Sequence, residues 1–119
     1  EIVFGDWSSD VCSSDLEYGD AETNKNDFLN IIKYSPYHNI KIGVNLPTML
    51  VSTGENDTRV DPLHAKKFVA ALQNNVGQYN PILLYMDFDS GHGSGQSIEQ
   101  MIENSYLQNR FIWGNIGIR

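Results

Sequence analysis

Two residues in the second half of the chain could act as an acid–base pair. Asp57 lies in the run GENDTRV and His92 in the run SGHGSG, and each run follows an apolar stretch. A carboxylate that orients an imidazole lets the ring take a proton from a hydroxyl nucleophile and return it to a leaving group. We therefore expect hydrolytic chemistry in which Asp57 orients the ring and His92 transfers the proton.

The nucleophile that such a pair needs is absent from this sequence. In the α/β-hydrolase fold a serine in a G-x-S-x-G elbow comes first, and the acid and then the base follow it. No such elbow occurs between Glu1 and Arg119, and Ser94 lies in GHGSGQS, which does not fit the pattern. The same run also lacks the glycine spacing of phosphate-binding loops. The sequence predicts the tail of a serine hydrolase without its serine.

Strands and helices alternate in the part of the chain that must position this pair. Short apolar runs bounded by glycine or polar residues predict two buried parallel strands, over residues 47–53 and 81–88. Helical spacing predicts one helix over Asn26–Tyr34, ended by the Ser35-Pro36 pair, and a last helix from about Ser97. The apolar side of that last helix is expected to contain Ile98, Met101, Ile102, Leu107 and Phe111.

A further helix is predicted between the two strands. Asp61 is expected to cap it, with Pro62 in its first turn. Its apolar residues recur at helical spacing and should lie on a sheet: Ala65, Phe68, Val69, Leu72 and Val76. The order strand, helix, strand, helix predicts an α/β fold with parallel strands, specifically the C-terminal part of an α/β-hydrolase domain. Two strands make an incomplete sheet, and single-domain folds of this kind run to roughly 200–250 residues.

The start of the chain fits no fold element. Residues 6–16, DWSSDVCSSDL, have neither helical nor alternating periodicity and are identical to the translation of a common sequencing-library adapter. We interpret them as an artefact and exclude them from the fold, with a genuine Ser/Asp-rich leader as the alternative. Residues 1–5 match nothing recognisable. The chain therefore divides into residues 1–16, an artefact or unplaced leader, and residues 17–119, the hydrolase segment.

The composition of residues 17–119 limits the classes of binding partner that we expect. This part has 8 Lys and Arg against 11 Asp and Glu, a formal charge of −3, which gives no reason to expect nucleic acid or an anionic membrane as a partner. The single cysteine, Cys12, falls in the excluded stretch, so disulfide, zinc and thiol chemistry are not expected. No cofactor or metal is predicted. The compartment is left open, because the cytoplasm and the periplasm both fit.

A non-catalytic interpretation of these residues is the alternative. Taken singly, Asp57 is an ordinary turn residue and His92 an exposed loop histidine. His38 and His64 have no partner at useful spacing and are interpreted as structural or surface residues. The chain could then be a non-catalytic α/β binding or accessory module, or a fragment of an esterase or lipase. The distance between the Asp57 and His92 side chains would separate the module from the enzyme.

Four stretches resemble the C-terminal part of the prolyl oligopeptidase family of serine peptidases. They are EYGD at 17–20, YSPYHN at 34–39, TGENDTRVDPLHAKKFVAALQ at 53–73 and GHG at 91–93. The resemblance covers nearly all of residues 17–119. The D-x-R-V-x-P-L-H pattern fits the prolyl endopeptidases of the family better than the dipeptidyl peptidases, acylaminoacyl peptidases or oligopeptidase B relatives. It also disfavours the esterase or lipase.

This resemblance implies cleavage of short peptides after proline through an acyl-enzyme. It makes Asp57 the triad acid and His92 the base, with Arg59 binding a substrate carbonyl and Val60 and Tyr18 lining the proline pocket. It implies that the proline-containing peptide is the substrate. It also implies that the nucleophile segment and a β-propeller lie upstream, so we expect this chain alone to be inactive. One departure is Ser14, because the family has a tryptophan four residues before the tyrosine.

Overall fold

A computed structural model describes residues 18–91 and 96–117. Helices and strands alternate as the sequence predicts. In chain order the elements are helix α1 (Lys25–Tyr34), a short 3₁₀ helix (Tyr37–Asn39), strand β1 (Met49–Gly54), helix α2 (Leu63–Gln73), strand β2 (Ile82–Asp87) and helix α3 (Ile98–Ile116). The predicted α/β class is therefore confirmed.

Helix α1 begins and ends where local chemistry requires. The Asn24 side chain accepts a hydrogen bond of 2.9 Å from the Asn26 N–H, which satisfies a donor that the first turn leaves unpaired. The Ser35 N–H donates to the Ile31 carbonyl, and Pro36 then prevents continuation. The helix is one residue longer at its start than predicted, because Asn24 rather than a later residue caps it.

Strands β1 and β2 form a two-stranded parallel sheet. The register pairs Met49 with Ile82 and Gly54 with Asp87, so both strands end at the same level. Both strands begin later than predicted. Pro81 accepts a hydrogen bond from the Met49 N–H through its carbonyl, but without an N–H of its own it cannot donate to the ladder.

The core lies between one face of this sheet and α2. Val69 and Leu72 on the helix and Ile82 on β2 are buried. Six half-buried apolar side chains surround them: Ile40, Leu46, Met49, Val51, Phe68 and Leu84. The prediction that α2 lies on the sheet is confirmed, but the inclusion of Val76 is wrong. That side chain is 75% exposed, because the helix already ends at Gln73.

The start of α2 also differs slightly from the prediction. Pro62 occupies the position that caps the helix, and its side chain provides no hydrogen bond. Asp61 lies one residue earlier, and its Oδ1 accepts a hydrogen bond of 2.8 Å from the Leu63 N–H. Asp61 thus stabilises the first turn as expected, from a position one residue outside the cap.

Helix α3 has a capped N-terminus but buries little apolar surface. Ser97 and Gln100 form a reciprocal capping box, which places the N-terminus close to the predicted Ser97. No side chain of α3 is buried. Leu107 and Phe111 are half-buried, whereas Ile98, Met101 and Ile102 are exposed. An apolar helix face with so little cover is typical of an incomplete α/β domain. None of the helices in the described residues has the length and apolarity to cross a membrane.

Side-chain amides join the two segments that lead into the strands. The Asn45 Oδ1 accepts hydrogen bonds from the backbone of Tyr79 and Asn80, at 2.9 and 3.2 Å. The Gln78 amide pairs with both backbone groups of Leu46, accepting at 2.8 Å and donating at 3.1 Å. Asn75 donates to the Lys41 carbonyl at 2.9 Å, and Asn80 donates at 2.8 Å to the same Leu46 carbonyl as Gln78. We call Asn45, Asn75, Gln78 and Asn80 the amino-end cluster.

Candidate functional site

Asp57 is fixed by the turn that follows β1. Its Oδ1 accepts hydrogen bonds from the backbone N–H groups of Arg59 and Val60, at 2.9 and 2.8 Å. This is the turn chemistry that an Asp after a strand favours, and it holds the half-buried carboxylate in one orientation. Two hydrogen bonds from the local backbone therefore hold this oxygen in place.

The turn is bonded to the segment that follows β2. The Glu55 N–H donates to the Asp87 carbonyl at 2.8 Å, and the Asn56 N–H to the Ser90 carbonyl at 3.2 Å. The Asn56 side chain also donates to the Phe88 carbonyl at 2.8 Å. Three hydrogen bonds thus bring the loop of Asp57 against residues 87–90. Residue 92 follows two positions later in the sequence.

Gly54 makes this close approach possible. A Cβ at this position would lie 2.5 Å from the Ser90 carbonyl oxygen and 3.0 Å from that of Gly91. The Ser90 side chain is itself buried, so the second loop has little freedom to retreat. A residue without a side chain at the end of β1 lets the two loops touch.

Asp87 is the centre of a second group of hydrogen bonds at this end of the sheet. Its Oδ2 accepts from the Asn104 amide at 2.9 Å and from the Gln96 amide at 3.2 Å. Its Oδ1 accepts from the Asp89 N–H at 3.1 Å. The Tyr85 hydroxyl donates to the Asn104 Oδ1 at 2.7 Å. We call Tyr85, Asp87, Gln96 and Asn104 the Asp87 network.

The network changes the acidity of two of its members. The Asn104 hydrogen bond, with further donors from Asp89 and Ser90, holds the pKa of the Asp87 carboxyl below its usual value despite the opposing effect of burial. Burial raises the pKa of the Tyr85 phenol, and the negative charges of Asp87 and Glu103 add to the shift. Asp87 is therefore an anion, and Tyr85 a neutral donor, near neutral pH.

A cleft of about 860 Å³ lies beside these loops. It contains Asp57 and Val60 from the first loop, Ser90 and Gly91 from the second, and much of the Asp87 network. Other lining residues come from β1, the start of α2 and α3, among them Ser52, Thr53, Asp61, His64, Phe68 and Met101. Ligands of open α/β sheets bind at the carboxyl ends of the strands, which is where these loops are.

The predicted site residues are distributed unevenly around this cleft. Asp57 and Val60 line it. Arg59 and Tyr18 are exposed, the latter at 52%, and neither is among the lining residues within the part of the chain that is described. His92 lies outside the described residues, so its pairing with Asp57 stays a prediction.

The other two histidines have different surroundings. His38 lies with its Nδ1 2.8 Å from the Oγ of buried Ser35, at the end of α1, which fits a structural role. His64 is half-buried on α2 and lines the cleft. Across residues 18–91 and 96–117 no group of three His, Cys, Asp or Glu side chains could hold a metal ion.

Sequence reasoning did not identify the Asp87 network. Its partners are 9 and 17 residues along the chain, and no motif connects them. One signal was available: Asp87 is the polar residue that ends an apolar strand, at the same edge as the loop of Asp57. A carboxylate in that position is a candidate for a site at the ends of the strands.

This chain is similar to known proteins over most of its length. A profile of the prolyl oligopeptidase family matches residues 4–118. The chain is 46% identical over 104 residues to prolyl oligopeptidase dbiP of Dendrothele bispora, covering 86% of this chain and 14% of that protein. It is 42% identical over 92 residues to a prolyl endopeptidase of Elizabethkingia miricola, covering 76% of this chain and 13% of that protein.

Solved structures give the same result. A chain from a structural and mechanistic analysis of two prolyl endopeptidases superposes with a TM-score of 0.81 and 37% identity, covering 86% of this chain and 15% of that one. Oligopeptidase B from Leishmania major superposes with a TM-score of 0.70 and 27% identity, covering 77% of this chain and 13% of that one. The chain thus spans about 13–15% of the length of these relatives.

Proposed function

Because this chain belongs to the prolyl oligopeptidase family, we propose that it supplies the triad acid and base of a serine peptidase that cleaves short peptides after proline. Asp57 is the acid and His92 the base. The nucleophilic serine belongs to a part of the protein outside these 119 residues. The α/β-hydrolase segment described above is then the C-terminal part of the catalytic domain.

The observation that supports this proposal best is the contact between the two loops. The loop of Asp57 donates hydrogen bonds to residues 87, 88 and 90, and His92 lies two positions after Ser90 in the sequence. Neighbouring parallel strands can thereby bring together two side chains that are 35 positions apart. A carboxylate oriented by its own backbone is suited to hold an imidazole in one tautomer.

In this mechanism His92 takes the proton of the serine hydroxyl as the oxygen attacks the carbonyl carbon of the proline residue. The ring then returns the proton to the departing amine, which leaves an acyl-enzyme. Water repeats the two transfers and releases the peptide acid. Asp57 stays ionised throughout and stabilises the imidazolium that forms. No metal or cofactor is needed.

Three residues are proposed to bind the substrate. Arg59 follows Asp57 by two positions and is exposed, so its guanidinium can reach a substrate carbonyl with its planar set of donors. Val60 lines the cleft beside Asp57 and offers an apolar surface to a proline ring. Tyr18 is assigned to the same pocket by family resemblance alone. The relatives that match are named prolyl oligopeptidase and prolyl endopeptidase, which supports a proline-containing peptide as the substrate.

The remaining partner is the rest of the polypeptide. We propose that it provides the nucleophile, the donors for the oxyanion, a β-propeller and the apolar surface that covers α3. Residues 6–16 are proposed to be translated adapter sequence. Resequencing the source locus upstream of the codon for Glu17 tests this directly. A genomic DWSSDVCSSDL would contradict it and favour a short binding module.

The test of the function uses the complete protein that contains this chain. We expect it to hydrolyse a chromogenic peptide after proline and to react with a fluorophosphonate, which labels activated serines. His92→Ala should abolish both, because no base remains to activate the serine. Asp89→Asn is the matched control, since the Asp89 side chain is exposed and in the adjacent segment.

Two outcomes would contradict the proposal. A complete protein that binds proline peptides without hydrolysing them would favour the binding module. Hydrolysis of simple esters with no peptide cleavage would favour an esterase. The 119-residue chain by itself is expected to have no activity, because removing the serine removes the covalent route.

A further inference from the structure

The segment that carries His92 is tied at both ends to one carboxylate. Asp87, the last residue of β2, accepts hydrogen bonds from the Asp89 N–H before this segment and from the Gln96 side chain after it. Ser90 also donates to Asp87 through its backbone and its hydroxyl. Residue 92 falls between these anchor points in the sequence.

The same carboxylate joins the segment to α3. Asn104, in the second turn of the helix, donates to the Asp87 Oδ2 at 2.9 Å and accepts from the Tyr85 hydroxyl at 2.7 Å. Tyr85 and Asp87 are two positions apart on β2, so their side chains emerge on the same face of the sheet. Asn104 therefore bridges two points of the strand, which fixes the direction of the helix above the loop.

Polar rather than apolar contacts hold this part of the molecule. Asn104 and Tyr85 are half-buried, and no side chain of α3 is buried. Charge-assisted hydrogen bonds are shorter and stronger than neutral ones, so the carboxylate of Asp87 provides more than an amide could. The position of α3 thus depends on hydrogen bonds among Tyr85, Asp87 and Asn104, whereas the position of α2 depends on a packed apolar core.

We propose that Asp87, acting through Asn104 and Gln96, is a positioning residue for the base of the peptidase. This inference rests on the proposed function, because it assigns to Asp87 the task of holding His92 in place relative to Asp57. In this role Asp87 transfers no proton. Its carboxylate fixes the described residues on either side of His92 in the sequence, Asp89 and Ser90 before it and Gln96 after it.

The network offers a charge-swap test in the complete protein. In the wild type the Asn104 amide donates to the Asp87 carboxylate at 2.9 Å. Asn104→Asp replaces this donor with a second carboxylate, so the two side chains repel each other and the hydrogen bond is lost. In the double variant Asp87→Asn, Asn104→Asp, an amide at 87 donates to a carboxylate at 104. The Tyr85 hydroxyl still donates to residue 104, and the Gln96 amide can turn to accept.

We expect Asn104→Asp to lower kcat for a proline peptide about ten- to a hundredfold, the cost of a displacement near 1 Å. The KM should stay within about twofold, because ground-state binding is unaffected when only the base is displaced. The double variant should recover most of the lost kcat. Asp89→Asn changes only an exposed side chain and keeps the backbone N–H that donates to Asp87, so its kcat should match the wild type.

The outcomes separate the inference from the function on which it rests. A wild-type protein with neither peptidase activity nor fluorophosphonate labelling would refute the proposed function. An active wild type with an Asn104→Asp variant that has the same kcat as Asp89→Asn would overturn the inference. So would a loss that the swap does not rescue, because repulsion between residues 87 and 104 would then not be its cause.

A milder variant keeps the inference testable if Asn104→Asp does not fold. Tyr85→Phe removes the 2.7 Å hydrogen bond to Asn104 and leaves the ring in place. A several-fold lower kcat at unchanged KM supports the positioning role. An unchanged kcat overturns it.

Discussion

The two ends of the sheet are both rich in polar side chains, but the groups differ in kind. At the amino end, the amino-end cluster binds backbone groups through neutral amides, and those bonds hold residues 41–46 against residues 75–80. At the carboxyl end, Asp57 and Asp87 are carboxylates whose oxygens accept several donors each. Each end of the sheet has two strand termini, but the polar group at the amino end is neutral and the one at the carboxyl end is negatively charged.

This difference separates structural from chemical use of polar groups. A neutral amide satisfies backbone groups at little cost and cannot move a proton at neutral pH. A carboxylate loses solvation when it is placed beside a cleft, so its presence needs compensating donors and gives an electrostatic effect in return. We therefore expect changes at the amino end to affect stability and changes at the carboxyl end to affect activity.

The largest expected effect is on activity, from Asp57→Asn in the complete protein. An asparagine keeps an Oδ1 that can accept from Arg59 and Val60, so the turn should persist. The lost charge and the altered tautomer of the base should lower kcat about 10⁴-fold. Steady-state kinetics with a proline peptide measures this, and a thermal scan should give a melting temperature close to that of the wild type. An active variant would show that Asp57 is only a turn residue.

Gln78→Ala should give the converse result. The variant removes both hydrogen bonds to Leu46 and one to Asn80. Unpaired backbone groups in this half-buried place should lower the free energy of unfolding by about 1–3 kcal/mol. Differential scanning calorimetry checks the loss, with kcat expected to stay unchanged. A large fall in kcat without a loss of stability would contradict the expectation that the amino end affects only stability.

A smaller effect is expected from the acidity of Asp87. Its pKa is lowered in the folded protein, so its stabilising contribution is complete above the unfolded pKa, near 4. That contribution disappears as the pH falls through the lower folded value. The urea midpoint of the wild type should therefore fall more steeply below about pH 4 than that of Asp87→Asn. Parallel curves for the two proteins would contradict this assignment.

The smallest effect is expected from a charge pair at the same end. Lys66 contacts Glu55 at 2.9 Å, with both side chains about 40% exposed. An exposed pair contributes about 0–1 kcal/mol and weakens with added salt. Lys66→Met should change the melting temperature by at most a few degrees and leave kcat unchanged. A strong loss of activity would mean that every charge at this end serves the chemistry.

Local signals predicted the elements well because their causes lie in neighbouring residues. The Ser35-Pro36 pair ends α1, the Ser97 cap starts α3, and apolar runs mark both strands. The prediction extended too far at Val76, since helical spacing continues there although the helix has ended. Sequence periodicity reports which residues could share a face, but it does not report where the backbone hydrogen bonds stop.

The site was predicted in part for the same reason. The turn that holds Asp57 was predictable because an acid after an apolar run is a local pattern, whereas the catalytic role of Asp57 stays a prediction. Asp87 and Asn104 were missed, since their contact depends on the direction that α3 takes over the sheet. The exposure of the apolar side of α3 was also not predicted, because helical spacing shows which residues share a face and not whether that face is covered.

The register of the two strands has a consequence for insertions and deletions. Gly54 and Asp87 are partners in the ladder, so both loops leave the sheet at one height. One residue inserted into β1 would shift that height by about 3.3 Å and exchange the two faces of the strand. One residue inserted at the end of α2 could be absorbed by the turn after Gln73. Among relatives, length changes should therefore be excluded from the strands and collect between α2 and the amino-end cluster.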